Sequence, residues 1–321
     1  MPAPIRRHLG TLIVISALAA GVGLILYTRV GAAPDNAVAA SGPDAADKPV
    51  PHAHADAAAI ALLPKDHVFA TPGALTIATT PGALPLGDYA ADGKQVIGIE
   101  PDIARLIADS LGLRLNLVPV AWPDWPLGLE SGKYDAVISN ITVTESRKRK
   151  FDFSSYRYDL LGVYTRSGGP IRAITQPRDV AGLKVVVGAS TNQDQILRRW
   201  DAQNVAAGLA PVEYQYLDDP TVGRLAVITG RADISFEPNA TGAYAARDGK
   251  VRQVGLFPGG WPNAASISVA TRKGSGLAAA ITQSLNTQID NGNYSTALAR
   301  WNLQSEAVPR SQTNPPGLAD L

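Results

Sequence analysis

Three short stretches of this chain place side chains where a small ligand could be held. Asn140 and Thr142 follow the apolar run Ala136–Ser139, which reads as a β-strand, and Arg147 heads the basic run Arg147-Lys148-Arg149-Lys150. Amide, carbonyl and hydroxyl groups just past the C-terminal end of a strand can accept from a ligand ammonium or donate to a carboxylate, and open α/β sheets bind their ligands at that edge. A guanidinium adds an always-charged, two-pronged donor that matches a carboxylate in a way an ammonium does not. The third stretch, Ser190-Thr191-Asn192, lies between a strand over Leu183–Val187 and a helix over Gln193–Ala202. Unpaired N–H groups at a helix start, helped by the helix dipole, cradle anions. Each stretch has a plainer alternative. Asn140 and Thr142 suit an ordinary turn, Arg147 a solvated basic face, and Ser190–Asn192 simple N-capping.

What is missing narrows the chemistry. The 321 residues include no cysteine, and the four histidines are His8, His52, His54 and His67. Beyond position 67 there is neither thiol nor imidazole, so a Ser-His-Asp triad, a Cys-His pair or a zinc–cysteine site cannot be built there. Carboxylate chemistry remains, or binding without chemistry, and no cofactor is called for. His52-Ala53-His54-Ala55-Asp56 could hold a metal ion weakly, but a flexible site must also offset its own ordering entropy, which favours a solvated linker and no metal. Lys and Arg total 29 against 28 for Asp and Glu, which argues against a nucleic-acid partner.

The elements that must position these residues are legible as a pattern. Arg6, Arg7 and His8 precede an uncharged run from Leu9 to Tyr27, about 28 Å long as a helix and close to a bilayer core of about 30 Å. Residues 1–30 therefore read as an export signal or an uncleaved membrane anchor, which leaves the protein either free outside the cytoplasm or tethered to the inner membrane. Residues 31–67, rich in Ala and Pro, read as a disordered linker that binding would not need. Residues 305–321 read as a loose tail. Between them strands alternate with helices. Leu75–Thr79 and Leu113–Val118 flank a helix carrying Ile103, Leu106, Ile107 and Leu111 on one face, and the alternation runs on to a long helix marked by Leu277, Ile281, Leu285 and Ile289. This is an α/β pattern with mainly parallel sheets, long enough for two lobes.

Several spaced blocks resemble a known family. Gly98-Ile99-Glu100-Pro101-Asp102-Ile103-Ala104 is similar to a G-x-x-x-D-[IL]-A signature of solute-binding proteins that serve amino-acid ABC transporters. Asp135-Ala136, with Thr144 and Arg147 further on, matches that family's D-A…T-x-x-R block, followed by Phe151-Asp152-Phe153-Ser154. Gly188–Gln193, Gly230-Arg231-Ala232-Asp233, Gly292-Asn293-Tyr294 and Trp301 also fit.

The resemblance implies a two-lobed, type II periplasmic-binding-protein-like α/β fold. Its discontinuous first lobe would span 71–160 plus 262–304 and its second lobe 161–261, with two hinge crossovers near Tyr158–Leu161 and Pro258–Ala264. It implies an exported protein that binds an amino acid or related carboxylate between the lobes and delivers it to a membrane permease. On that pattern Arg147 grips the α-carboxylate and Trp122 covers the aliphatic part of the ligand. Two departures stand out. The first loop carries Thr80 and Ala83 where many members have an acid and an aromatic residue. The acid that usually meets the ammonium aligns with Pro238, leaving its neighbour Glu237 as the candidate, although strand alternation would turn that neighbour away. The alternative implied by resemblance is a cyclohexadienyl or arogenate dehydratase-like enzyme, with Glu237 as general acid.

Overall fold

The computed structural model describes residues 49–319. The expected signal or anchor over 1–30 and the linker as far as 48 lie outside them, and no helix of the described residues is long and apolar enough to cross a membrane.

Two five-stranded sheets organise the chain. The first half supplies β1 (Ala74–Thr79), a small hairpin of β2 (Asp88–Tyr89) and β3 (Val96–Ile97), β4 (Arg114–Pro119), β5 (Ala136–Thr142) and β6 (Phe151–Tyr158). The second sheet is built from β7 (Leu160–Arg166), β8 (Lys184–Val187), β9 (Glu213–Tyr216), β10 (Ile234–Pro238) and β11 (Val251–Pro258). The chain then returns with β12 (Ser266–Arg272) to the first sheet, whose order is β4-β1-β5-β12-β6; the second runs β11-β7-β10-β8-β9. Each sheet with its helices is one lobe. Every residue of β1 is buried, as expected of a parallel strand covered on both faces.

The sheets are mixed rather than mainly parallel. β12 pairs antiparallel with β5 and β6, and β7 antiparallel with β10 and β11. A chain that passes directly from one sheet into the other has no room for a crossover helix, so its passing strands reverse direction.

Local sequence explains how the first lobe closes. The helix Ile99–Ser110 buries Ile99, Ile103, Leu106 and Ile107 against the sheet. It begins at Gly98, whose φ is +144° and where a Cβ would lie 2.2 Å from the Leu86 carbonyl oxygen, so only glycine fits there. The aspartates of the recognisable blocks are structural. Asp102 takes both oxygens to Arg300 (2.8 and 2.7 Å) and accepts from the Trp301 indole at 2.8 Å. Asp135 accepts from the N–H of Thr76 at 2.8 Å, and Asp233 from that of Lys184 at 2.8 Å. In both lobes, therefore, an acid at the strand entrance fixes a neighbouring strand. The second lobe packs around Trp200, whose ring lies 5.4 Å from Phe236, 4.9 Å from Phe257 and 5.2 Å from Trp261.

Two segments expected to be loose are not. Within the presumed linker, Asp56 caps a short helix, Ala57–Ala61, and also accepts from the Thr287 hydroxyl at 2.6 Å, while its own N–H donates to the Ser110 carbonyl at 2.7 Å. Asp109 accepts from the Ala53 N–H and faces His52, so the weak metal motif is spent on packing. Ala59 is fully buried, and Ala53, Leu63 and Phe69 pack on the lobe-one core. Small residues read as flexible in the sequence, yet they also allow close approach to neighbouring helices. At the other end, Gln312 and Asn314 exchange hydrogen bonds with Ser155 and Phe153, and Leu318 with Val143 and Glu145. β6 is the edge of its sheet, so this strap satisfies backbone groups an edge leaves open. Glu306, 2% exposed, forms an ion pair with Arg157, 1% exposed.

These contacts make residues 53–63 a packed part of lobe one rather than a loose linker. Losing the Asp56 cap and the Leu63 and Ala59 burial should cost roughly 2–4 kcal/mol. A chain beginning at Val68 should melt about 5–10 °C lower in calorimetry. An unchanged melting temperature would show that the segment merely rests on the surface.

Candidate ligand-binding cleft

The two passages between lobes lie side by side. Asp159 separates β6 from β7, and residues 259–265 separate β11 from β12. The Gly259 N–H donates to the Asp159 carbonyl at 2.8 Å, and the Asp159 N–H to the Ala265 carbonyl at 2.9 Å. A Cβ on Gly259 would fall 2.1 Å from the Asp159 carboxyl carbon, so the close approach requires glycine. The Asp159 carboxylate is buried and accepts from the Thr142 hydroxyl of lobe one and the Asn192 side-chain amide of lobe two, both at 2.7 Å. Asn192 also donates to the Gly259 carbonyl at 2.8 Å. Burial raises the Asp159 pKa, and the Thr142 bond, Arg157, Asn192 and Arg147 pull it back.

A cavity of about 210 Å³ opens between the sheets. Lobe one contributes Thr80, Trp122 and Asn140 to its wall, and lobe two Thr191, Arg224 and Glu237. An adjoining pocket shares Trp122 and holds Arg147 and Ser190.

Arg147 is set by its local sequence. The Thr144 side chain caps the short helix Glu145–Lys148 by accepting from the Arg147 N–H at 3.1 Å, which explains the T-x-x-R spacing. The guanidinium donates to the Thr142 carbonyl at 2.8 Å and the Ser190 carbonyl at 3.4 Å, and it lies 5.5 Å from the Trp122 ring centroid. Burial lowers its pKa to about 10, against the pull of Asp159, and it stays cationic at neutral pH.

The other expected residues divide. Asn140 lines the cavity at φ +48°, with its side-chain oxygen accepting from Arg157 and its N–H donating to Glu100. Ser190 has φ +59°. Both are uncommon backbone states held by surrounding contacts. Thr191 is the N-cap of the helix Asn192–Ala206 and accepts from the Asp194 N–H at 3.2 Å. Thr142 and the Asn192 amide are committed to Asp159, so they position the cleft. Trp122 is partly buried between Trp125 and Arg147.

Glu237 lines the cavity. Ser235 and Glu237, two apart on β10, share a face, while Phe236 between them enters the lobe-two core. Its carboxylate accepts from Ser235 Oγ at 2.6 Å and Thr241 Oγ1 at 3.2 Å. Burial raises its pKa, offset by Ser235, Arg224 and Thr241.

Several charged residues of the cleft left no readable signal. Glu100 is buried, accepting from the Tyr156 hydroxyl at 3.0 Å with Arg157 nearby. It sits inside a recognisable block, but Arg157 and Glu306 are far apart in sequence and Arg224 belongs to no motif.

The chain matches the bacterial extracellular solute-binding proteins, family 3, over residues 75–304. It belongs to that family. The L-cystine-binding protein TcyJ of Escherichia coli (strain K12) is 33% identical over 155 residues, 46% of this chain and 55% of that protein. The chain thus spans about half the length of that curated relative. The arginine-binding protein ArgT of Corynebacterium glutamicum is 26% identical over 245 residues, 75% of this chain and 78% of the relative. The cyclohexadienyl dehydratase of Pseudomonas aeruginosa is 32% identical over 82 residues, 26% of this chain and 30% of the enzyme. Among solved structures, an ancestral arginine-binding protein bound to arginine superposes with a TM-score of 0.64 at 26% identity, covering 71% of this chain and 98% of that one. The fold is the two-lobed type II periplasmic-binding fold.

Asn192→Ala should destabilise the protein by about 1–3 kcal/mol, because it strips a donor from a buried carboxylate. Urea unfolding checks this; an unchanged midpoint would mean that Asp159 holds the lobes without Asn192.

Proposed function

We propose that this protein is the extracytoplasmic solute-binding component of an ABC transporter and carries an amino acid or related carboxylate to its permease. Family membership across both lobes, together with a cavity walled by both sheets, carries this reading. In it, Arg147 takes the α-carboxylate once the ligand displaces the Ser190 carbonyl, Trp122 covers the ligand's apolar part, and Glu237 takes the ammonium. Thr191 and Ser190 bring backbone polar groups from lobe two, and Asn140 lines the floor. Closure of the lobes buries the solute and presents a surface the permease can read. On this reading the apolar run Leu9–Tyr27 serves as an export signal or anchor, and the protein works in the periplasm, released or tethered.

Arg147→Lys keeps the charge and loses the fork, so amino-acid affinity should fall at least about tenfold, from a charged contact of roughly 1.5–3 kcal/mol. Calorimetric titration with a panel of amino acids reads this, and unchanged affinity with an intact fold would leave Arg147 a structural group that only bonds the Thr142 and Ser190 carbonyls.

Glu237 gives a pH signature. Its pKa in the free protein is raised by burial, and an ammonium needs the ionised form. Binding should therefore release a proton and weaken as pH falls, starting at a higher pH than an ordinary glutamate would give. Glu237→Gln should flatten that profile and remove most of the preference for an amino acid over its des-amino acid. Equal discrimination by both proteins would place the ammonium elsewhere.

One observation supports a second reading. A buried glutamic acid whose pKa is raised can donate a proton to a leaving hydroxyl, as a dehydratase requires. Incubation with prephenate decides between them: saturable amino-acid binding without product supports the carrier, and product above background supports the enzyme.

A further inference from the structure

Arg224 lies on the helix Pro220–Ile228 of lobe two and faces into the cavity wall. Apart from Asp218, the other charged groups around it are engaged. Glu100 has Arg157 and the Tyr156 hydroxyl, and Glu237 has two hydroxyl donors. Asp218 is exposed at the rim. Arg147 stands beyond Trp122 in the adjoining pocket, its guanidinium on two backbone carbonyls. Arg224 makes no hydrogen bond or ion pair with any described residue, although it is close enough to Glu237 to lower that acid's pKa.

The opposite wall presents a matching donor. Thr80 follows directly on β1 of lobe one, and its hydroxyl is buried with no hydrogen-bond partner among the described residues. The loop that follows it lies against the Arg224 helix: a Cβ on Gly82 would come 3.8 Å from Pro220 Cδ. A buried donor left without an acceptor costs free energy; an acidic group placed between these walls would remove that cost at Thr80 and pair with the half-buried Arg224. A ligand cation at the same place would meet the like charge of Arg224.

We infer that Arg224 and Thr80 form a second anion subsite, and that the solute is an acidic amino acid carrying a carboxylate there in addition to the one assigned to Arg147. This inference rests on the proposed binding function. The charge pattern is complementary: two arginines face two carboxylates, and Glu237 faces one ammonium.

The test uses acid and amide pairs of matched shape, glutamate against glutamine and aspartate against asparagine, in calorimetric titrations of the full chain. Wild type should bind one acid at least tenfold more tightly than its amide. Arg224→Gln should lose at least tenfold in affinity for that acid and bring the preference below threefold, with its melting temperature held as a fold control. Thr80→Val, which keeps the shape and removes the hydroxyl, should lose a smaller part of the same preference. A wild type that binds both members equally or favours the amide overturns the subsite, as does full preference retained in Arg224→Gln. Binding of neutral or basic amino acids with the acids excluded overturns the subsite and leaves the carrier function standing. No binding of any amino acid overturns both.

Discussion

The cleft depends on one buried carboxylate. Asp159 is the single residue between β6 and β7, and its backbone is paired to the returning passage at Gly259 and Ala265. Its side chain draws Thr142 from one lobe and Asn192 from the other. A charge in that position is costly unless it is met by donors on all sides. The two lobes therefore come together where their polar groups satisfy this one acid, and the ligand walls on either side inherit their spacing from it.

Around Asp159 the charges form a connected set rather than isolated pairs. Arg157 faces Glu100, Glu306 and Asp159, and it also donates to Asn140 on the cavity wall. Burial pushes the carboxyl groups of Glu100, Asp159 and Glu306 upward, and the arginine pulls them back. Glu306 comes from the C-terminal strap, so the tail completes the charge balance beneath the site. In the same way the segment around Asp56 completes the outer face of lobe one by capping a helix and meeting Thr287. Both ends of the described chain are thus part of the scaffold, and the cavity wall rests on them indirectly.

The ligand walls show a division of labour between fixed and available groups. Thr142, Asn192 and the Asn140 side chain are bound to protein partners and define shape. Arg147, Glu237 and Arg224 line the spaces where a solute can reach them, and Thr80 borders the same cavity. Such preorganisation lowers the ordering cost of binding, because the groups that grip the ligand stand on helices and strands already held in place.

The sequence alone determined the features that depend on neighbours along the chain. Apolar alternation marked most strands and helices, and the blocks around Gly98 and Thr144–Arg147 stood out by their spacing, which the folded chain explains by a glycine-only start to a helix and a cap that aims the guanidinium. The strands β6 and β7 escaped that reading because burial on both faces erases alternation, and the edge strand β11 because its buried positions recur every third residue rather than every second. Tertiary structure alone decided which polar residues are free. Asn192 and Asn140 have the right chemistry for a ligand but are claimed by Asp159 and Arg157 from distant parts of the chain. It also decided that Glu237 faces the cavity and that Arg224 joins it there, and that residues 53–63 and 312–318 are packed. Hydrogen bonds and burial between residues far apart in sequence leave no periodicity behind, so only the folded chain reveals who meets whom.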